Sequence, residues 1–197
     1  MLVVEGQDDR RFFEALLKHC GISDFQVLQF AGVSNLSSRL DALRIVEGFA
    51  TVTTLGVVRD ANGNRNAAFQ SVQDALRAAR LPVPSRPLVL AGNQPRVSVM
   101  ILPPEEIAGG MMLEDLCLKA VENDPAMRCV DDYFRCLEKQ NVSLRESAIP
   151  KARLHAFLAS RERPGLRLGE AAEKNDIPLD SPVFEPVVNF LRQLSAG

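Results

Sequence analysis

The chain has little that would mark a redox, secreted or membrane protein. Its four cysteines, Cys20, Cys117, Cys129 and Cys136, contain no Cys-x-x-Cys pair and match no zinc module. Most lie in helical patterns, which predicts buried free thiols rather than disulfides or metal ligands. The two histidines, His19 and His155, have no Cys or His companion at ligand spacing, so neither is read as a metal ligand. No apolar run reaches membrane-spanning length, and no leader-like segment precedes the first strand. The expectation is a reduced, cytoplasmic protein with no membrane partner. No Gly-x-x-x-x-Gly-Lys-[Ser/Thr] is present, which excludes ATP hydrolysis by the P-loop route. Positive charge is not in excess: 23 Lys and Arg stand against 25 Asp and Glu, for a net charge of −2. A broadly basic nucleic-acid face is therefore not expected, although a local patch remains open. Internal repeats and low-complexity tracts are also missing.

What is there is an ordinary globular composition, 46% hydrophobic and 24% charged over 197 residues, long enough to bury a core. Leu2–Val4 is a short apolar, β-branched run that reads as a buried strand. Gly6 breaks it, Asp8 or Asp9 can cap the helix that follows, and Phe12, Phe13, Leu16 and Leu17 form an apolar stripe at helical spacing. Further strands are expected at 25–30, 51–58 and 96–102, with a short one at 88–90. Helices are expected at 9–19, 36–47, 66–79, 111–121, 131–139, 151–160 and 184–194, with a short one after the Gly165–Gly169 stretch. Strands alternating with helices in units of roughly 25 to 40 residues argue for βαβ crossovers. The predicted class is α/β, a Rossmann-like, mostly parallel sheet with flanking helices. Residues 1–110 form its core. Residues 111–197 form a helical part packed on it, the two together making one structural domain.

The acidic residues concentrate at strand ends. The first strand runs into Glu5, and Asp9 opens the next helix. The third strand runs into Asp60, with Asn62 two positions on. In a parallel sheet such ends share one rim, where ligands of open α/β sheets bind. Glu114 or Asp115, early in the helix after Gly109-Gly110, can reach the same side. Carboxylates gathered there repel one another unless a cation sits among them, and they offer oxygens to a hard divalent ion such as Mg²⁺. The plain alternative is that Glu5 and Asp60 merely end strands, that Asp60-Ala-Asn-Gly-Asn is a turn, and that Glu114 and Asp115 only favour a helix N-terminus. Arg10, Arg59 and Arg65 flank the predicted crevice. They could hold nucleic-acid phosphates or be solvated charges.

Val3-Val4-Glu5-Gly6-x-x-Asp9 resembles the opening motif of Toprim domains, the catalytic fold of topoisomerases, primases, recombination proteins and OLD-type nucleases. Arg59-Asp60-Ala61-Asn62 sits where those domains carry an Asp-x-Asp motif. Leu113-Glu114-Asp115-Leu116, the 151–158 segment and the closing 181–191 segment resemble a small bacterial family of stand-alone Toprim-like proteins related to the OLD nucleases. The resemblance implies a magnesium- or manganese-dependent nuclease. Glu5 would be general acid/base or metal ligand, Asp9 a second-metal ligand, and Asp60 a metal ligand. Glu114 would complete the cluster, and Lys151 would stabilise charge on the phosphate. Asn62 departs from the pattern, because an amide ligates without adding charge. OLD-type proteins fuse this domain to an ATPase, so an ATPase partner of this chain would have to act in trans. Two other functions compete with the nuclease reading. One is a Toprim-fold binding or regulatory module with a weakened site. The other is a small-molecule phosphatase using Asp60 as nucleophile.

Overall fold

A computed structural model describes residues 1–32, 35–105, 107 and 109–196 of the chain. Four strands form one all-parallel sheet among these residues: β1 (Leu2–Val4), β2 (Val27–Gln29), β3 (Thr54–Asp60) and β4 (Arg96–Leu102). Their order across the sheet is β2-β1-β3-β4. Leu2 pairs with Val27 on one side and Gly56 on the other, and β3 runs beside β4 from Thr54↔Arg96 to Asp60↔Leu102. From β1 the chain steps outward to β2, then returns past β1 to β3. The gap between β1 and β3 is thus a topological switch point, where loops diverge and leave a crevice at the carboxyl ends of the strands.

Both faces of the sheet are covered, so the central strands are apolar throughout rather than alternating with polar residues. Leu2, Val4, Val58, Met100 and Leu102 face one core; Val3, Leu55, Val57, Val99 and Ile101 face the other. The second core is closed by α2 (Leu36–Arg44) and α3 (Arg65–Ala78). The first is closed by α1 (Gln7–His19) and by the helices of the C-terminal half, which are α4 (Leu113–Ala120), α5 (Pro125–Lys139), α6 (Ile149–Leu158), α7 (Leu168–Glu173) and α8 (Glu185–Ser195). Phe12 packs edge-on to Phe13 and against Phe184 in this core, 5.5 Å between ring centroids in each case. The last helix reaches the middle of the sheet: Leu194 and Phe190 lie over Gly56, and the Thr54 hydroxyl donates to the Leu194 carbonyl at 2.9 Å.

The sheet and helices match the predicted α/β class, with shifted boundaries. The third strand begins at Thr54, because Phe49–Thr51 forms a 3-10 turn, and it extends to Asp60 itself. The expected strand at 88–90 does not form: Leu88 sits in a turn with φ 63°, and the isolated bridge nearby joins Ala91 to Val97. α5 begins six residues before the predicted start. Asp124 caps the Ala126 amide at 2.8 Å and Pro125 occupies the first helical position, where its missing N–H costs nothing. The cysteines are all free thiols, but Cys129 and Cys136 lie exposed on α5, and only Cys117 is fully buried. No described helix is long and apolar enough to cross a membrane.

Candidate carboxylate site at the sheet rim

The site is assembled by the ends of β1 and β3 and the starts of α1, α4 and α6. Gly6, in extended backbone, is the N-cap of α1, in place of the Asp8 or Asp9 expected from sequence. Asp9 instead reaches back from the first turn, and its Oδ2 accepts from the Gly6 amide at 2.9 Å. A Cβ at Gly6 would meet that oxygen at 2.8 Å, so glycine is what lets the carboxylate fold over the strand end. Asp60 closes β3, and its Oδ1 accepts from the Leu113 amide at the start of α4 at 3.0 Å. This couples the third strand to the first C-terminal helix, an arrangement a helix N-terminus favours. Asp115 spends its carboxylate on the Met111 and Met112 amides at 2.8 and 3.1 Å. It is the cap of α4, and Glu114 is the acid that faces the crevice.

A cavity of about 270 Å³ opens here, lined by Asp8, Asp9, Asp60, Glu114, Lys151 and Arg167 among others. Glu5 lies beside it, close to Asp9 and Arg59. Its Oε2 is buried with no hydrogen-bond partner. Burial raises the carboxyl pKa of Glu5, Asp9, Asp60 and Glu114 alike. At Asp60, pushed well above the usual carboxylate range, repulsion from Asp9, Glu114 and Glu5 adds to desolvation. Lys151 stands 3.6 Å from Glu114 and opposes the rise there. Behind the cavity, burial drives the Cys117 thiol far up, away from thiolate chemistry.

Four of the acids predicted from sequence, Glu5, Asp9, Asp60 and Glu114, are thus brought together with Lys151. Asn62 is placed differently. It is exposed in a left-handed turn (φ 48°), its amide donates to the Met111 carbonyl, and it does not line the cavity. Of the three predicted arginines, Arg59 stays beside Glu5, and each has a partner outside the cavity. Arg10 pairs with Glu14 along α1 at 3.3 Å, and Arg59 donates to the Ala68 carbonyl at 3.3 Å. Arg65 donates to the Pro103 and Ile101 carbonyls and lines a separate cavity of about 490 Å³ with Arg86. Arg167, at the N-cap of α7, is the cation that sequence reasoning missed. It lies 107 positions beyond Asp60, and only the docking of α7 on α1 brings it in.

Asn64 shapes the turn leaving Asp60, capping α3 through its side-chain oxygen on the Ala67 amide at 3.0 Å. The Asn64→Ala variant is expected to lose about 1 kcal/mol of stability, read from urea unfolding at unchanged m-value. An unaltered midpoint would mean that the cap is not used.

The donor set suits a hard divalent cation in its chemistry: Asp9, Asp60 and Glu114 line a desolvated pocket, and Glu5 beside it carries an orphaned buried oxygen. Its closure is incomplete, because among the described residues no three His, Cys, Asp or Glu side chains stand together at metal-ligand spacing.

Fold and rim together define the class: an α/β protein with a carboxylate-lined crevice at the switch point of a parallel sheet. The chain belongs to the family described as protein of unknown function (DUF3226), whose model matches residues 1–196. No curated protein and no solved structure matches it.

Proposed function

We propose that this protein is a magnesium- or manganese-dependent phosphoryl-transfer enzyme that hydrolyses nucleic-acid phosphodiesters. The observation that carries the reading is the convergence of Asp9, Asp60 and Glu114 on one crevice, with Glu5 beside it and Lys151 and Arg167 at its wall. Buried acids at this density raise one another's pKa and destabilise the fold unless a cation is their working partner. The resemblance of the Glu5–Asp9 and Asp60–Asn62 segments to Toprim and OLD-type motifs supports the same chemistry. Asp9, Asp60 and Glu114, with Glu5, would hold the cation. A divalent ion bound there would supply Lewis-acid polarisation of a phosphoryl oxygen and a water of lowered pKa.

The chain's own residues then have distinct work. In this reading Glu5, whose Oε2 has no hydrogen-bond partner, would take a proton from an attacking water. Lys151 and Arg167 present positive charge to the non-bridging oxygens of a phosphate, a pairing that strengthens in a pocket shielded from water. A cavity of about 270 Å³ takes a phosphodiester linkage and leaves the bases outside, which favours a polymer backbone over a whole nucleotide. The second reading is a binding module with a weakened site. It is favoured by Asn62, which lies outside the cavity and adds no charge.

The test is cleavage of supercoiled plasmid and of single-stranded DNA and RNA in Mn²⁺ or Mg²⁺. Wild type is expected to cut, chelation to stop it, and Glu5→Gln to slow it about a hundredfold or more. Equal cleavage by wild type and Glu5→Gln refutes the assignment of Glu5. Cation binding without cleavage of any substrate selects the module.

A further inference from the structure

We propose that Lys151 is a tethered counter-ion of the carboxylate cavity, which an incoming divalent cation must displace from Glu114 before the site is loaded. This rests on the metal-dependent reading above and adds to it the way the site is kept between loading events.

The geometry is asymmetric in a telling way. The Glu114 side chain is 15% exposed and the Lys151 side chain 59%, with Nζ 3.6 Å from Oε1. A fixed, sheltered carboxylate is met by a long, half-solvated stem that can swing away at little cost. Lys151 lies in the first turn of α6, where the helix dipole disfavours positive charge. The acids across the cavity offset that cost: Glu114, Asp60 and Asp9 all act on the ammonium. In return the ammonium relieves Glu5, Asp9 and Glu114, whose carboxyl groups it holds below where burial alone would put them. One ammonium thus serves an array of buried acids.

A monovalent charge on a flexible arm only partly neutralises four acids, whereas a divalent ion with direct ligation does so more fully. Exchange of one for the other frees the ammonium at the cavity wall beside Arg167, where a phosphate would meet it. Lys151 is in this sense a positioning and gating residue, and it competes with the cation for Glu114.

The experiment is Mn²⁺ titration of the full chain by calorimetry, with thermal melting in the absence of metal. The Lys151→Met variant is expected to bind Mn²⁺ about tenfold more tightly than wild type, with Lys151→Arg near wild type. Without metal, Lys151→Met is expected to melt about 1–3 °C lower, and the same change in a Glu114→Gln background to melt with a smaller further loss. Wild-type Mn²⁺ binding with equal or weaker binding by Lys151→Met overturns displacement and leaves the metal reading standing. Failure of wild type and variant alike to bind Mn²⁺ at millimolar concentration overturns both. An unchanged metal-free melting temperature overturns the counter-ion role.

Discussion

The Asp60→Asn variant is expected to lose metal-dependent hydrolysis by about a thousandfold and, in the absence of metal, to melt higher than wild type. The two effects share one cause. Asp60 is the most strongly shifted of the acids, raised first by burial and then by Asp9, Glu114 and Glu5. Asparagine keeps the oxygen that accepts from the Leu113 amide and removes the buried charge. Because the folded state binds the Asp60 proton more tightly than the unfolded chain does, its contribution to stability is full at acid pH, below the ordinary carboxyl value. It is lost as pH rises through the raised folded value. The variant escapes that loss. Its advantage over wild type should therefore grow from about pH 4 toward pH 8. Calorimetric scans in chelator across that range measure it. A variant that melts at or below wild type at pH 8 would show that the Asp60 charge is already compensated inside the protein.

The Gly169→Ala variant is expected to cost about 1–3 kcal/mol and to impair the site without touching an acid. A Cβ at Gly169 would stand 2.5 Å from the Arg11 Cβ, 2.7 Å from the Asp8 carbonyl oxygen and 3.3 Å from the Asp8 Cα. These are atoms of the first turns of α1, with no flexible end to give way, so α7 must lift. Lifting α7 disturbs the ion pairs from Arg11 to Glu170 (2.6 Å) and Glu173 (3.6 Å) and the burial of Leu168, Ala171 and Ala172. It also moves Asp8, next to Asp9, and Arg167 on the opposite wall. Displacement on the order of 1 Å at a reacting centre can cost about a hundredfold in rate. Activity is therefore expected to fall further than the stability loss alone implies. Urea unfolding and cleavage rates under folded conditions separate the two. Gly165→Ala is the control, since nothing lies within 4 Å of its added carbon. Equal behaviour of the two variants would remove the α7–α1 contact from the account of the site.

Much of the fold was legible because local signals were strong. Leu2–Val4, the Val-rich third strand and the 96–102 run are apolar on both faces, as strands buried between helix layers must be. The Phe12–Leu17 stripe marked α1 for the same reason. The start of α5 was written in the Asp124-Pro125 pair, a cap and first-turn proline that residue periodicity alone passes over. Glu5, Asp9, Asp60 and Glu114 were legible because a strand end or a helix start is a local feature, and parallel strands put like ends on one rim. Arg167 was not, since nothing near it differs from a surface arginine. The nearest hint is the glycine two residues on, whose need for space appears only once α1 lies against it. The divergent roles of Glu114 and Asp115, adjacent and alike in sequence, depend on which one the helix start recruits. Arg10, Arg59 and Arg65 were grouped by their nearness to the acids in sequence, but backbone carbonyls and Glu14 engage them.

The seating of Leu194 and Phe190 over Gly56, and of the Thr54 hydroxyl on the Leu194 carbonyl, also bears on synthesis. One face of the β1–β3 pair receives its cover from a helix 140 positions further along the chain. Until α8 emerges from the ribosome that face is unshielded, so the nascent sheet waits half-wrapped and dependent on early α1 contacts or on a chaperone. Truncations that remove Phe190 or Leu194 therefore act directly on the central strands of the sheet.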